Sequence, residues 1–199
     1  MAQTKSHSLK GMSMSERKAW RRKQLLEAAI QTYGQKGFDQ TTVKDVCLSA
    51  GLTERYFYES FTNRDELLMA AFEQVSDALF QQITEIESNG ASKEQLINAM
   101  LKTYFKGHLD FPQGAKLFAC EMQSHRNKEG VETIYQEFLN RYGVLMAKIL
   151  KLEKRNKVLE YGILGGVLEI TRFWINEDFK TDIDEIVPTA AKLFEVLTD

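Results

Sequence analysis

Residues 42–61, TVKDVCLSAGLTERYFYESF, read as two short helices joined by a tight turn. Val43, Val46, Cys47 and Ala50 recur at spacings of three, one and three, which places one apolar stripe on the first helix. Thr42 is positioned to cap that helix, and Asp45 three residues later completes a capping box. Gly51 stops it, since glycine takes the left-handed conformation of a helix end without a Cβ clash. Thr53 is then positioned to cap the second helix, along which Phe57 and Phe61 point inward. Thr53, Glu54, Arg55, Tyr56 and Tyr58 are left outside. The pattern is a helix-turn-helix, and its outer face suits a DNA groove.

Outward from this stretch the chain keeps a helical period almost throughout. Residues 1–14, with Lys5, Lys10, Gly11 and several serines, lack any apolar period and read as a flexible arm. Ser13 and Glu16 form a second capping box, opening a helix with Leu26, Ala29, Ile30 and Tyr33 on its buried face that ends near Gly37. Arg17, Lys18, Arg21, Arg22 and Lys23 crowd its first turns; they are either a solvated face or, given their neighbour, an attraction for phosphates. Asn63 with Glu66 starts a long helix expected to reach about Ser88, which begins against the reading head and runs into the carboxy-terminal domain. Further helices are expected from Ser92, from Pro112, over roughly 131–151 and over about 155–176. The last carries Ile186, Ala190, Leu193, Phe194 and Leu197 on a stripe, with Pro188 in its first turn or at a kink.

The fold class is therefore all-α, with two prolines and few alternating β-branched runs arguing against a sheet. The net charge of −2 hides an asymmetry: residues 1–64 carry +5 and residues 65–199 carry −7. Such a split is expected when one domain meets phosphates and the other does not. Cys47 and Cys120 are too few and too far apart for a metal or disulfide framework; no cofactor is implied, and a reducing cytoplasm fits. No apolar run approaches the ~18 residues of a membrane span, and no signal-peptide pattern opens the chain.

The central stretch resembles the DNA-binding domain of TetR-type transcriptional repressors. The resemblance begins at Leu25-Leu26, runs through Gly37-Phe38 and Thr41-Thr42-Val43, and ends at Asp65-Glu66-Leu67-Leu68, with Phe57 to Arg64 as its most recognisable piece. Arg55 stands where many members have glycine, and Glu59-Ser60 replace a commoner histidine-tyrosine pair; both departures bear on sequence preference and not on fold. The resemblance implies an N-terminal three-helix helix-turn-helix domain (15–62) followed by a helical ligand-binding and dimerisation domain (63–199). It also implies a homodimer, a small-molecule effector and a partly palindromic DNA operator.

For base contact the candidates are Arg55 and Tyr56, with Thr53 and Glu54 beside them; Thr42, Lys44, Tyr58 and Arg64 are placed for phosphates. Tyr58 has a core reading as well. Candidates for lining an effector pocket are Tyr104, Phe105, Phe118, Met122, Phe138 and Trp174, each of which could equally be packing. Two polar pairs at helical spacing, Glu121 with His125 and Glu169 with Arg172, would orient a ligand's polar end or bond each other. Gly162 and Gly166, four apart on one face, imply close helix approach, at a dimer interface shared with Ile186, Ala190, Leu193 and Leu197 or within one chain. His7, His108 and His125 lie on separate segments and no nucleophile or phosphate-loop motif appears, so an enzyme is not expected. The alternative to a regulator is a helical protein–protein adaptor with a vestigial helix-turn-helix.

Overall fold

The structure, a computed structural model, describes residues 11–86 and 90–197, without the side chains of residues 196 and 197. Among the described residues every regular element is helical. The order is α1 (Met14–Lys36), α2 (Val43–Ala50), α3 (Glu54–Tyr58), α4 (Arg64–Thr84), α5 (Lys93–Asp110), α6 (Pro112–Lys116), α7 (Met122–Ser124), α8 (Val131–Ile149), α9 (Lys157–Asn176) and α10 (Ile183–Ala191). A π-helical turn, Leu117–Glu121, joins α6 to α7, and a 3₁₀ turn, Lys192–Leu197, succeeds α10. Most of the expected arm, residues 1–10, and the expected α4 terminus at Ser88 lie outside the described residues; α4 itself ends at Thr84.

Helix starts obey the local chemistry. Ser13 with Glu16, Thr42 with Asp45 and Ser92 with Gln95 each make both bonds of a capping box. Two starts differ from expectation. The Asn63 side chain accepts the Glu66 N–H at 2.8 Å, but the Glu66 carboxylate reaches past it to the Thr62 N–H and hydroxyl, at 2.6 and 2.7 Å. Thr53 sits at the cap position of α3 without a side-chain hydrogen bond. Gly51 ends α2 in the left-handed region at φ 65°, as its place in the turn requires.

One apolar cluster runs from Leu25 on α1 to Phe194 beyond α10. α1 crosses α6 so closely that a Cβ on Gly34 would collide with the Gln113 backbone, which docks the first helix onto the carboxy-terminal part. α10 lies against α5. Ile186 and Ala190, expected at a dimer interface, are there buried in the chain's own core. Leu193 closes over Gly166, where an added Cβ would stand 2.9 Å from Leu193 Cδ1, so this close approach is also within one chain. Leu197 falls outside the described side chains. A stripe shows that a helix face is covered, not which molecule covers it. Pro188 lies inside α10 on its exposed side, past the first turn.

Candidate DNA-reading surface and core cavity

Phe57 and Phe61, 0% and 2% exposed, seat α3 against the core. The outer row of α3 then faces solvent as its period demands: Thr53, Glu54 and Arg55 are exposed, and the Tyr58 ring is 60% exposed, which removes its core reading. Tyr56 is half-buried because the Arg21 guanidinium lies over its ring, 3.8 Å from the centroid. Arg55 Nε is 3.0 Å from Glu59 Oε1, so two residues at which the sequence departs from the family pattern are ion-pair partners.

Several residues placed for phosphates are partly committed elsewhere. Both polar groups of Thr42 turn to Asp45, its N–H at 2.9 Å and its hydroxyl at 2.6 Å from Oδ2; an incoming phosphate must displace that carboxylate. These bonds hold the Asp45 carboxyl below its ordinary pKa. Arg64 lies 4.4 Å from the centre of the Phe38 ring and donates to the Phe38 carbonyl at 3.3 Å. Lys44, by contrast, is exposed. The basic cluster on α1 divides. Arg21 and Arg22 cover Tyr56 and Phe61 and meet Glu59 and Glu66, acting as packing between α1 and the reading head, whereas Lys18 and Lys23 face solvent.

Glu121 and His125, expected beside a ligand, instead face the reading head. Glu121 Oε2 accepts the Phe38 N–H at 2.9 Å, just past the end of α1. His125 Nε2 lies 3.3 Å from Asp39 Oδ1, and its ring meets Phe38 edge-on. Both border a groove of about 550 Å³ between α1 and the π-helical turn, with Tyr33, Lys36, Lys116 and Cys120. Their i, i+4 spacing is visible in sequence; the neighbour they face is not.

Tyr104 and Phe138 do meet, around an apolar void of about 40 Å³ completed by Ile83, Met100, Tyr142 and Leu164. That volume holds about one water-sized group. The Tyr142 hydroxyl is buried without a partner among the described residues, and burial pushes its pKa up. The Tyr104 hydroxyl has Thr171 Oγ1 at 3.1 Å. Phe118, Met122, Glu169 and Arg172 line a separate open crevice of about 230 Å³ together with Arg126 and Tyr135. Leu168 belongs to the wall of both spaces, and the Phe118 and Phe138 rings are 4.7 Å apart. Arg172 and Glu169 bond each other at 2.7 Å. Phe105 and Trp174 line neither space: they pack on one another at 5.6 Å, and the indole N–H donates to the Thr181 carbonyl. Tyr142 and Leu168 escaped notice as site residues because on their helices they repeat at the same spacing as ordinary packing, and Arg126 because it lies in the turn after α7.

One buried group stands apart from both spaces. His108 Nδ1 is 2.9 Å from the Tyr104 carbonyl, to which its N–H donates, and Nε2 has no partner among the described residues. Burial pushes its pKa down to about 4, against the opposing pull of the Tyr104 bond.

Residues 25–71 match the family model described as bacterial regulatory proteins, tetR family. The chain is similar to the transcriptional repressor KstR2 of Rhodococcus jostii, 26% identical over 45% of this chain and 44% of that protein. It thus spans less than half of KstR2. It is also similar to the fatty acid metabolism regulator protein of Bacillus subtilis, 22% identical over 80% of this chain and 86% of that protein. In three dimensions it is similar to the crystal structure of the transcriptional regulator FadR from Bacillus subtilis in complex with stearoyl-CoA. The TM-score is 0.74 at 18% identity, over 86% of this chain and 96% of that one. At that identity the likeness shows the fold: a helix-turn-helix domain followed by a helical carboxy-terminal domain.

Proposed function

We propose that this chain, a member of the tetR family of bacterial regulatory proteins, is a sequence-specific transcriptional repressor released from DNA by a mostly apolar small molecule. The observation that carries the reading is the outer row of α3, solvent-facing from Thr53 to Arg55 while Phe57 and Phe61 anchor its back. Residues 15–62 are the reading unit and residues 63–199 the effector and dimerisation unit. Together the family match and this intact outer row favour a regulator over an adaptor with a relic motif.

The homodimer forms through the outer face of α9. Val158, Tyr161, Gly162, Gly165 and Phe173 lie on one side of that helix; Val158 and Phe173 are 83% and 61% exposed, and none of the described residues lies within 4 Å of a Cβ built on Gly162 or Gly165. Burying such a row against a second copy removes an apolar face that a monomer rarely carries. Two reading helices then meet successive major grooves of a partly palindromic duplex, about 34–36 Å apart or somewhat more.

The effector enters where Leu168 separates the crevice from the void. The void must widen to admit more than a methyl-sized group, so binding displaces Leu168 or the Phe118–Phe138 pair. Phe118 lies in the π-helical turn that ends at Glu121, and Glu121 holds the Phe38 N–H; α4 offers a second link. A long acyl chain is the ligand class to test first, since FadR of Bacillus subtilis holds stearoyl-CoA. The coupling expected is about 1–3 kcal/mol, and operator DNA must weaken ligand binding by the same factor.

The deciding experiment selects binding sites from a random duplex library with purified protein, then titrates the enriched site with acyl-CoA. Enrichment of a two-fold-related sequence, released by ligand, is the expected result. No enriched sequence removes the regulator reading; enrichment without release removes only the proposed effector class.

A further inference from the structure

We propose that Glu59 is a specificity-determining residue of the reading helix, acting as a strut that aims Arg55 at the bases. The inference rests on the reading of the chain as a sequence-specific DNA binder. Glu59 caps the end of α3 and uses its two oxygens in opposite directions. Oε1 meets Arg55 Nε at 3.0 Å, and Oε2 faces Arg21 Nη1 at 3.5 Å. Arg21 is in turn held over the Tyr56 ring. Side-chain exposure rises along the chain of contacts, from 19% at Arg21 through 37% at Glu59 to 83% at Arg55. One end of the network is fixed on α1 and the other is offered to solvent.

An arginine held through Nε keeps both terminal nitrogens for the fork onto guanine O6 and N7. A side chain already held has less conformational entropy to lose on binding. A carboxylate flanked by two guanidiniums can stand near DNA phosphates, where alone it would be repelled; its charge also keeps the pair of arginines from binding any duplex as a bare dication. Glu59 therefore raises discrimination from both sides, by aiming the base contact and by limiting the contact that any sequence satisfies.

The test uses the full-length protein, site selection from random duplexes, and dissociation constants for the enriched site and for random DNA at one salt concentration. Glu59→Gln keeps the shape and removes the charge. It is expected to lower the ratio of the two constants by about fivefold or more, on the scale of one base contact. The base preference that disappears should be the one lost in Arg55→Ala, and the double variant should discriminate no worse than Arg55→Ala alone. A Glu59→Gln protein that binds both duplexes more tightly by one common factor, or whose effect multiplies with that of Arg55→Ala, overturns the strut. Should Glu59→Gln fail to fold, Arg21→Gln removes the anchor from the other helix and is read in the same way. Wild-type protein that enriches no sequence overturns the DNA reading itself, which separates that failure from this one.

Discussion

The reading head and the carboxy-terminal helices bury aromatic rings equally well, and use what is left over in opposite ways. In and just after α3, Phe57 and Phe61 lie inside so that Arg55 and Tyr58 can lie outside. In α5 and α8, Tyr104, Phe138 and Tyr142 lie inside around a void that Leu164 of α9 helps to close, and the candidate site is the inside itself. A surface site is the complement of a buried stripe and can be read from periodicity. An interior site shares its period with the core and cannot.

If the outer row of α3 depends on its buried rings, removing an anchor should have the largest effect. Phe57→Ala should cost about 3–5 kcal/mol, measured by urea unfolding, because the fully buried ring leaves a cavity its neighbours cannot fill. A loss under about 1 kcal/mol would mean that α3 is not seated by this ring.

The carboxy-terminal part has its own signature in acid. His108 keeps a neutral ring in the fold and gains a proton at ordinary pH only when unfolded, its folded pKa lying at about 4. A depressed histidine pKa means that the unfolded state binds more protons between about pH 6.5 and pH 4, so stability falls as pH falls through that window. The expected loss is about 2–3 kcal/mol, followed by urea unfolding at several pH values. His108→Leu should flatten the curve; an unchanged slope assigns the acid sensitivity to other groups.

On DNA, Arg55→Ala should lose about 1–3 kcal/mol on the preferred site and little on random duplex. Arg64→Ala should weaken both and, since Arg64 also covers Phe38, lower thermal stability as well. Equal losses on the two duplexes from Arg55→Ala would remove it from base reading. The smallest contrast concerns the caps. Thr42→Ala should cost about 1 kcal/mol and Thr53→Ala only a few tenths, because only Thr42 makes a side-chain cap bond. Equal losses in calorimetry would show that Thr53 caps α3 in solution.

Legibility varied by the range of the interaction involved. The capping boxes at Ser13, Thr42 and Ser92, the stop at Gly51 and the inward pair Phe57 and Phe61 depend on neighbours within four residues, and all were visible. Glu66 shows the limit even there, since its carboxylate had two acceptable donors one residue apart and took Thr62, and Thr53 makes no cap bond. The dimer stripe failed at Ile186 and Ala190 because α5, far away in sequence, covers them first.

Residue type and spacing along one helix or segment were enough for the helical class, the helix-turn-helix, the outward row of α3 and the charge asymmetry. They were not enough to show that Glu121 holds Phe38, that Arg21 reaches Glu59 and Tyr56, or that Leu168 stands between crevice and void; those came from the folded arrangement. Each of these joins elements from distant parts of the chain. The 3.6-residue period tells which way a side chain faces on its own helix, whereas what it meets there is set by how the helices cross.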